Sequence, residues 1–373
     1  MGLRKKIFPE RRAEHFARDG EEPVGGVSGP PGLLPKEASM KRLYVPGLVA
    51  MLTFLALAVP ERATGAEEGF VNPDLIMSTQ RLQKLLHDPS VRILDVRRPV
   101  EYRKAHIPNA VSLPYDAVQD PESRIQGKRL DDQRLAITLA DAGIGKNTHV
   151  VVYDDKAGNL AARIAWILLY MGHQNVSVLD GGFPRWQAER RRVDRVVIEP
   201  KRETFPVDLK SHYEATAAFI LERLGDPNTI IVDVRPPAAY AKAHIPKAIN
   251  LDWRRNLASA TERVWKRPAE LRAMFEAAGV TKDKTIIVHC DIADMNHHTF
   301  LTLKALGYPH VRSYDRSWSE WGPDPNLPKV DAEGKPVLVS TPEHEDDHAA
   351  DAGKEASKGK PPAKHQEGDG DKH

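Results

Sequence analysis

A lone cysteine, Cys290, is the side chain in this sequence best equipped for nucleophilic chemistry. It closes the run Thr285-Ile286-Ile287-Val288-His289-Cys290, whose four β-branched residues predict a buried strand. Asp291, Ile292, Ala293, Asp294, Met295 and Asn296 then read as a loop. Beyond it Phe300, Leu301, Leu303 and Leu306 fall at the spacing of an amphipathic helix. A thiol between a strand end and a helix start faces backbone N–H groups and the positive end of the helix dipole. Both favour an anion, and the thiolate is the reactive form of cysteine, whose free pKa is about 8.5. The arrangement predicts a sulfur at the mouth of the loop, ringed by amides that keep it ionised. The competing fate of a single cysteine is inert burial. His289, His297 and His298 flank the loop; protonated, they would offset its two aspartates. Their spacing with Cys290 matches no standard zinc pattern, and neither a metal nor a cofactor is implied.

The strand, loop and helix that present Cys290 belong to an internal repeat, the most informative feature of the chain as a whole. One copy holds Ile93-Leu-Asp95-Val-Arg97, Tyr102 and Ala105-His106-Ile-Pro108-Asn-Ala110. The other holds Ile231-Val-Asp233-Val-Arg235, Tyr240 and Ala243-His244-Ile-Pro246-Lys-Ala248. Eleven residues separate Asp from His in each. Farther on, Leu179-Asp180-Gly-Gly182 with Trp186 matches Tyr314-Asp315-Arg-Ser317 with Trp321. Apolar strands alternating with helical patterns imply an α/β class, with a parallel sheet covered on both faces in each copy. We expect domains at 72–193 and 212–330, a linker at 194–211, and a cleft between the domains suited to a small molecule. Trp253, Trp318 and Trp321 would line that cleft or pack in the core. The repeated Asp, Arg and His residues read as structural, since both copies have them and only one has a thiol.

The chain has 373 residues, 41% hydrophobic and 28% charged, with a formal net charge of +2. That balance offers nothing for nucleic acid, and one cysteine precludes an intramolecular disulfide. Residues 1–39 read as a disordered or misassigned upstream extension. From Met40, a short basic region, an uncharged stretch at 43–59 and small residues at Thr64 and Ala66 predict a secretory signal over 40–66 and an exported, periplasmic protein. The alternative is a membrane anchor at 43–59, marginal in length; no other membrane contact is expected. Residues 341–373, acidic and histidine-containing, read as a disordered tail.

The doubled Asp-Val-Arg…Tyr…His-Ile-Pro-x-Ala pattern, with Leu-Asp-Gly-Gly-Phe-x-x-Trp and Ser313-Tyr-Asp-Arg-Ser-Trp-Ser-Glu-Trp321, resembles the tandem-domain rhodanese superfamily of thiosulfate and 3-mercaptopyruvate sulfurtransferases. The resemblance implies two rhodanese-like α/β domains, the first inactive and the second catalytic. Asp154 and Asp155 occupy the place of the cysteine in the first copy. It also makes Cys290 a persulfide-forming nucleophile. Sulfane sulfur would pass from a small sulfur-containing donor to a thiol, to cyanide or to a sulfur-accepting protein. Two departures stand out. The loop carries Asp291 and Asp294, each expected to raise the thiol pKa and repel a dianionic donor, with Ala293 near the usual glycine. Ala239 stands where such enzymes often carry a donor-binding arginine. Arg235, Arg254, Arg255 and Arg316 are the candidate substitutes, unless they are ordinary surface charge. The acidic loop favours an alternative: a weak or inactive pair acting as a binding or sulfur-carrier module. A rhodanese-fold phosphatase would need a longer loop with a phosphate-binding arginine after Cys290.

Overall fold

The computed structural model describes residues 69–338. The signal or anchor reading at 40–66 and 43–59, the extension 1–39 and the tail 341–373 lie outside the described residues. All described residues fall in one compact unit.

The first half forms a five-stranded sheet from β1 (Ile76–Met77), β2 (Val91–Asp95), β3 (Ala110–Ser112), β4 (His149–Tyr153) and β5 (Val176–Leu179). Helices α1 (Thr79–Leu85), α2 (Pro99–Lys104), α3 (Asp132–Asp141), α4 (Asn159–Tyr170) and α5 (Gly182–Ala188) accompany it. The second half repeats the plan with β6 (Thr229–Asp233), β7 (Ile249–Asn250), β8 (Thr285–His289) and β9 (Val311–Ser313). Its helices are α6 (Ala217–Leu221), α7 (Pro237–Lys242), α8 (Pro268–Ala277), α9 (Asn296–Ala305) and α10 (Ser317–Trp321). Strand order is β1-β5-β4-β2-β3 in one sheet and β7-β6-β8-β9 in the other, with every pairing parallel. The chain reverses its direction across the sheet between β2 and β4, and again between β6 and β8. In open parallel sheets such switch points are where ligands sit, beyond the carboxyl ends of the strands.

The local signals explain the elements. Ser78 and Asp131 cap α1 and α3 by accepting from the backbone N–H of Arg81 and Arg134. Pro99 and Pro237 open α2 and α7, where a missing N–H costs nothing. The repeated motif is a structural clamp. Arg97 donates to both Asp95 carboxylate oxygens and to Ala105 O at 2.7 Å; Arg235 does the same to Asp233 and Ala243 O. His106 and His244 stack on Tyr102 and Tyr240, and each bonds the carbonyl of that tyrosine. The histidines therefore hold the turn, as their presence in both copies suggested.

The two halves meet through α4 and α9. Every residue of α4 but Leu160 is buried, as is every residue of α9 but Lys304. A helix covered on all sides belongs inside, not at a surface. The amphipathic helix expected after the cysteine is therefore corrected. Its polar side chains are buried as well: Thr302 accepts from Trp265 Nε1 at 2.8 Å, and Thr299 accepts from Asn256 at 2.9 Å.

Candidate active site

The loops at the ends of β4 and β8 are built alike. Ala157 in the first and Ala293 in the second both adopt positive φ, 62° and 63°. That is a conformation with a steric cost for a residue bearing a Cβ, which is why glycine suits it. In the first loop Asp154 takes the position that Cys290 takes in the second. Its carboxylate accepts from four backbone N–H groups: Lys156 at 2.9, Gly158 at 2.9, Leu160 at 2.7 and Ala161 at 3.0 Å. Burial pushes its pKa up and these four bonds oppose that push. Asp155 lies beside it, partly exposed, and takes no part in the cradle.

Cys290 Sγ occupies the matching cradle, with the Met295 and Asn296 amides bonded to it. The ring of dipoles is therefore present. The exposure is not. Cys290 is 0% exposed, and the expectation of a sulfur open at the lip of the loop is overturned. Sγ is 3.6 Å from Asp294 Oδ1 and 3.4 Å from Asn296 Oδ1, so the thiol hydrogen has oxygen acceptors beside it. Burial, then the Asp294 charge, pushes the thiol up to about 12, against the pull of the two amides and Ser317. Cys290 at rest is a protonated thiol, the opposite of the ionised sulfur the loop position predicted. A segment of the first half covers it: Gly127 lies so close to Ile292 that a Cβ there would fall 2.1 Å from the Ile292 carbonyl oxygen. Ser319 Oγ donates to Gln126 O across the same contact at 2.8 Å.

The two aspartates differ. Asp294 touches the sulfur, and burial raises its own carboxyl. Asp291 turns away, its Oδ1 3.5 Å from Arg235 Nη1, so its charge is countered and does not act on the thiol as expected. The histidines do not offset Asp294 either. Burial holds His289 and His297 below the usual imidazole range and His298 down to about 3, so all three are neutral. They point apart: His298 stacks on Trp265 with centroids 4.3 Å apart, His297 packs on Trp166, and His289 faces Asp233.

Of the four candidate arginines, Arg254 alone lines the cleft. Arg254, paired with Asp252, lines a cleft of about 560 Å³ with Trp253, Leu257 and Arg263; Lys156, Asn159 and Leu160 form its other wall, and Asp294 is the loop residue in it. Arg235 is buried, committed to Asp233 and lying over the Trp318 ring at 4.2 Å. Arg255 is exposed and is not among the cleft's lining side chains. Arg316 pairs with Glu320 at 2.8 Å and lines a different depression, with Arg129 and Glu214. Trp321 is wholly in the core.

Sequence reasoning missed three residues. Lys156 and Arg263 supply the cleft's other cations. Ser317, the counterpart of Gly182, sits at φ 52°, where glycine would be at ease. Its hydroxyl accepts from the Cys290 N–H at 3.1 Å and lies 3.8 Å from Sγ. The signal was there: a serine replacing a glycine at a matched position of the repeat. Buried near these residues, Arg163 of α4 has its Nη2 3.4 Å from Asp315 and also donates to the Gly127 carbonyl.

Among known proteins, the Rhodanese-like domain family profile matches residues 78–189 and again 216–324. A thiosulfate sulfurtransferase of Pseudomonas aeruginosa is 32% identical over 267 residues, covering 69% of this chain and 98% of that protein. A protein of Thermus thermophilus named sulfur carrier protein TtuD is 32% identical over 277 residues, covering 68% and 95%. The crystal structure of SseA from Escherichia coli, a 3-mercaptopyruvate sulfotransferase of rhodanese fold, superposes with a TM-score of 0.60 at 27% identity, over 65% of this chain and 98% of that one.

Proposed function

This chain belongs to the rhodanese-like domain family, and from that premise we propose that it is a sulfurtransferase whose nucleophile is Cys290. The carrying observation is the cradle built twice. A fixed carboxylate fills it in the first half and a sulfur in the second, so the second copy alone can take on and release a group. The reaction is a double displacement. The Cys290 thiolate attacks the outer sulfur of a donor such as thiosulfate or 3-mercaptopyruvate. A new S–S bond forms, and the donor's bond to that sulfur breaks with its electron pair leaving on the donor remnant. An acceptor thiol or cyanide then attacks the outer sulfur of the persulfide and restores the thiolate. Splitting the transfer this way replaces one hard step by two easier ones, and the Met295 and Asn296 amides stabilise charge on sulfur throughout.

The relatives named as sulfurtransferases favour turnover over an inert binding pair. The relative named as a sulfur carrier supports a protein acceptor beside small thiols. Export rests on the leader-like sequence at 40–66, and a periplasmic fraction whose chain starts after Ala66 is the expected finding. The direct test of the enzyme is intact mass spectrometry after incubation with thiosulfate or 3-mercaptopyruvate. One sulfur is gained on the native chain and none on Cys290→Ser, with the circular dichroism of the two unchanged. Sulfur transfer surviving in Cys290→Ser would remove the assignment.

A further inference from the structure

The idle copy keeps a pocket of its own, past the carboxyl ends of β2 and β4, with a volume of about 410 Å³. Arg97, Lys104, Lys156 and Arg263 supply its cations, Glu101 and Asp155 its anions, and Phe183 and Pro184 an apolar wall. It shares Lys156 and Arg263 with the cleft of Arg254, and none of that cleft's other lining residues. Comparing the two copies shows what this pocket lacks. Arg97 spends Nε and Nη2 on Asp95 and on Ala105 O, as Arg235 spends them on Asp233 and Ala243 O. In the second half Asp291 then lies 3.5 Å from the remaining nitrogen, Arg235 Nη1. In the first half, among the described residues, no acceptor takes Arg97 Nη1. Arg97 is 5% exposed, so a nearly buried guanidinium lines the pocket with one nitrogen unspent. Arg263 is a second, independent mark. The bridges Gln119–Arg129 and Leu257–Trp265 close matching straps, in which Gly127 and Arg263 stand at like places with φ 77° and 56°. Glycine takes that conformation freely, whereas an arginine is held there at a steric cost. Its Nη1 donates to the Asp155 carbonyl at 3.3 Å, which fixes the guanidinium at the pocket.

We propose that the idle copy binds a small organic carboxylate. Its oxygens sit on Arg97 Nη1, in the place that Asp291 takes on Arg235. Lys156 and Arg263 flank it, and its carbon body rests against Phe183, whose ring the Arg97 guanidinium already covers at 3.8 Å. The size suits a small organic molecule. A single carboxylate fits better than a phosphate dianion. Glu101 is held by Lys104 at 3.0 Å, but Asp155 has no ion-pair partner among the described residues and would repel a second negative charge. This site does not involve Cys290, and it stands whether or not the chain transfers sulfur.

The test is isothermal titration of the full chain with benzoate, with benzamide as its uncharged isostere and inorganic phosphate as the rival anion. Benzoate should bind once per chain, and benzamide and phosphate at least about tenfold more weakly. Arg97→Lys keeps a charge for Asp95 and loses the forked Nη1, so benzoate affinity should fall about tenfold. Since Arg97 also clamps the fold, Gln187→Glu gives a second reading from an exposed side chain of α5 that lines the pocket. Its added carboxylate should weaken benzoate about fivefold with the circular dichroism unchanged. Arg254→Ala, in the other cleft, should leave benzoate binding as it is. Three results each overturn the inference: no benzoate binding at millimolar concentration, phosphate or benzamide binding as tightly as benzoate, or affinity lost in Arg254→Ala and kept in Gln187→Glu.

Discussion

At Cys290 the ground state is set by a contest between burial and dipoles, and burial wins. Two amides and a hydroxyl favour the thiolate, yet with Asp294 alongside the thiol is pushed up to about 12. Alkylation of the native thiol should therefore stay slow at neutral pH and rise steeply only in strong alkali. In Asp294→Asn the onset should move to lower pH, as read by iodoacetamide trapping. The sign carries over to stability. A thiol raised on folding contributes fully below its unfolded value, and the contribution is lost as pH climbs toward about 12. Native protein should lose more stability than Cys290→Ala between pH 9 and pH 11, measured by urea unfolding at each pH. Ser317 bears on the same balance. Ser317→Gly relieves a positive φ and keeps the fold within about 1 kcal/mol of the native stability, but it removes the hydroxyl beside Sγ and should shift the alkylation profile up.

Among the elements, the loop after β8 is held from outside as much as from within. Gly127 abuts Ile292, and its own φ of 77° already excludes most side chains. Gly127→Ala should cost about 2–3 kcal/mol in chemical denaturation and slow sulfur loading, because the displaced backbone is that of the catalytic loop. The helices show how far pattern reading goes. The strand before Cys290 was legible, since Ile286, Ile287 and Val288 have no other use than a covered strand. The helix after it was legible in place but not in surroundings. Its polar residues His298, Thr299 and Thr302 look like a solvated face until Trp265 and Asn256 are brought against them.

For the whole molecule the decisive feature is that two copies are packed into one body. Arg163, fully buried on α4 of the first half, faces Asp315, buried at the end of β9 in the second. Arg163→Met should destabilise by about 3–5 kcal/mol, since it strands a buried carboxylate. Arg163→Met with Asp315→Leu should recover much of that loss, a coupling measurable by a double-mutant cycle. The same packing makes the cleft: one wall comes from the loop after β4, the other from residues 253–263.

The sequence alone determined the doubled α/β plan and the family it resembles, and it supplied the proposed nucleophile and the copy that lacks a thiol. Each of these follows from residue type at repeated spacing, and spacing is a local property. Tertiary structure decided the rest. It turned Arg235 to Asp233 and Asp291 to Arg235, left Arg316 in another depression, and brought Lys156, Arg254 and Arg263 into one cleft. It also buried the sulfur behind Asp294. Charge and burial depend on what lies across a gap, and Lys156 and Arg263, which line one cleft, lie 107 residues apart in the chain, a distance no pattern along the sequence can span.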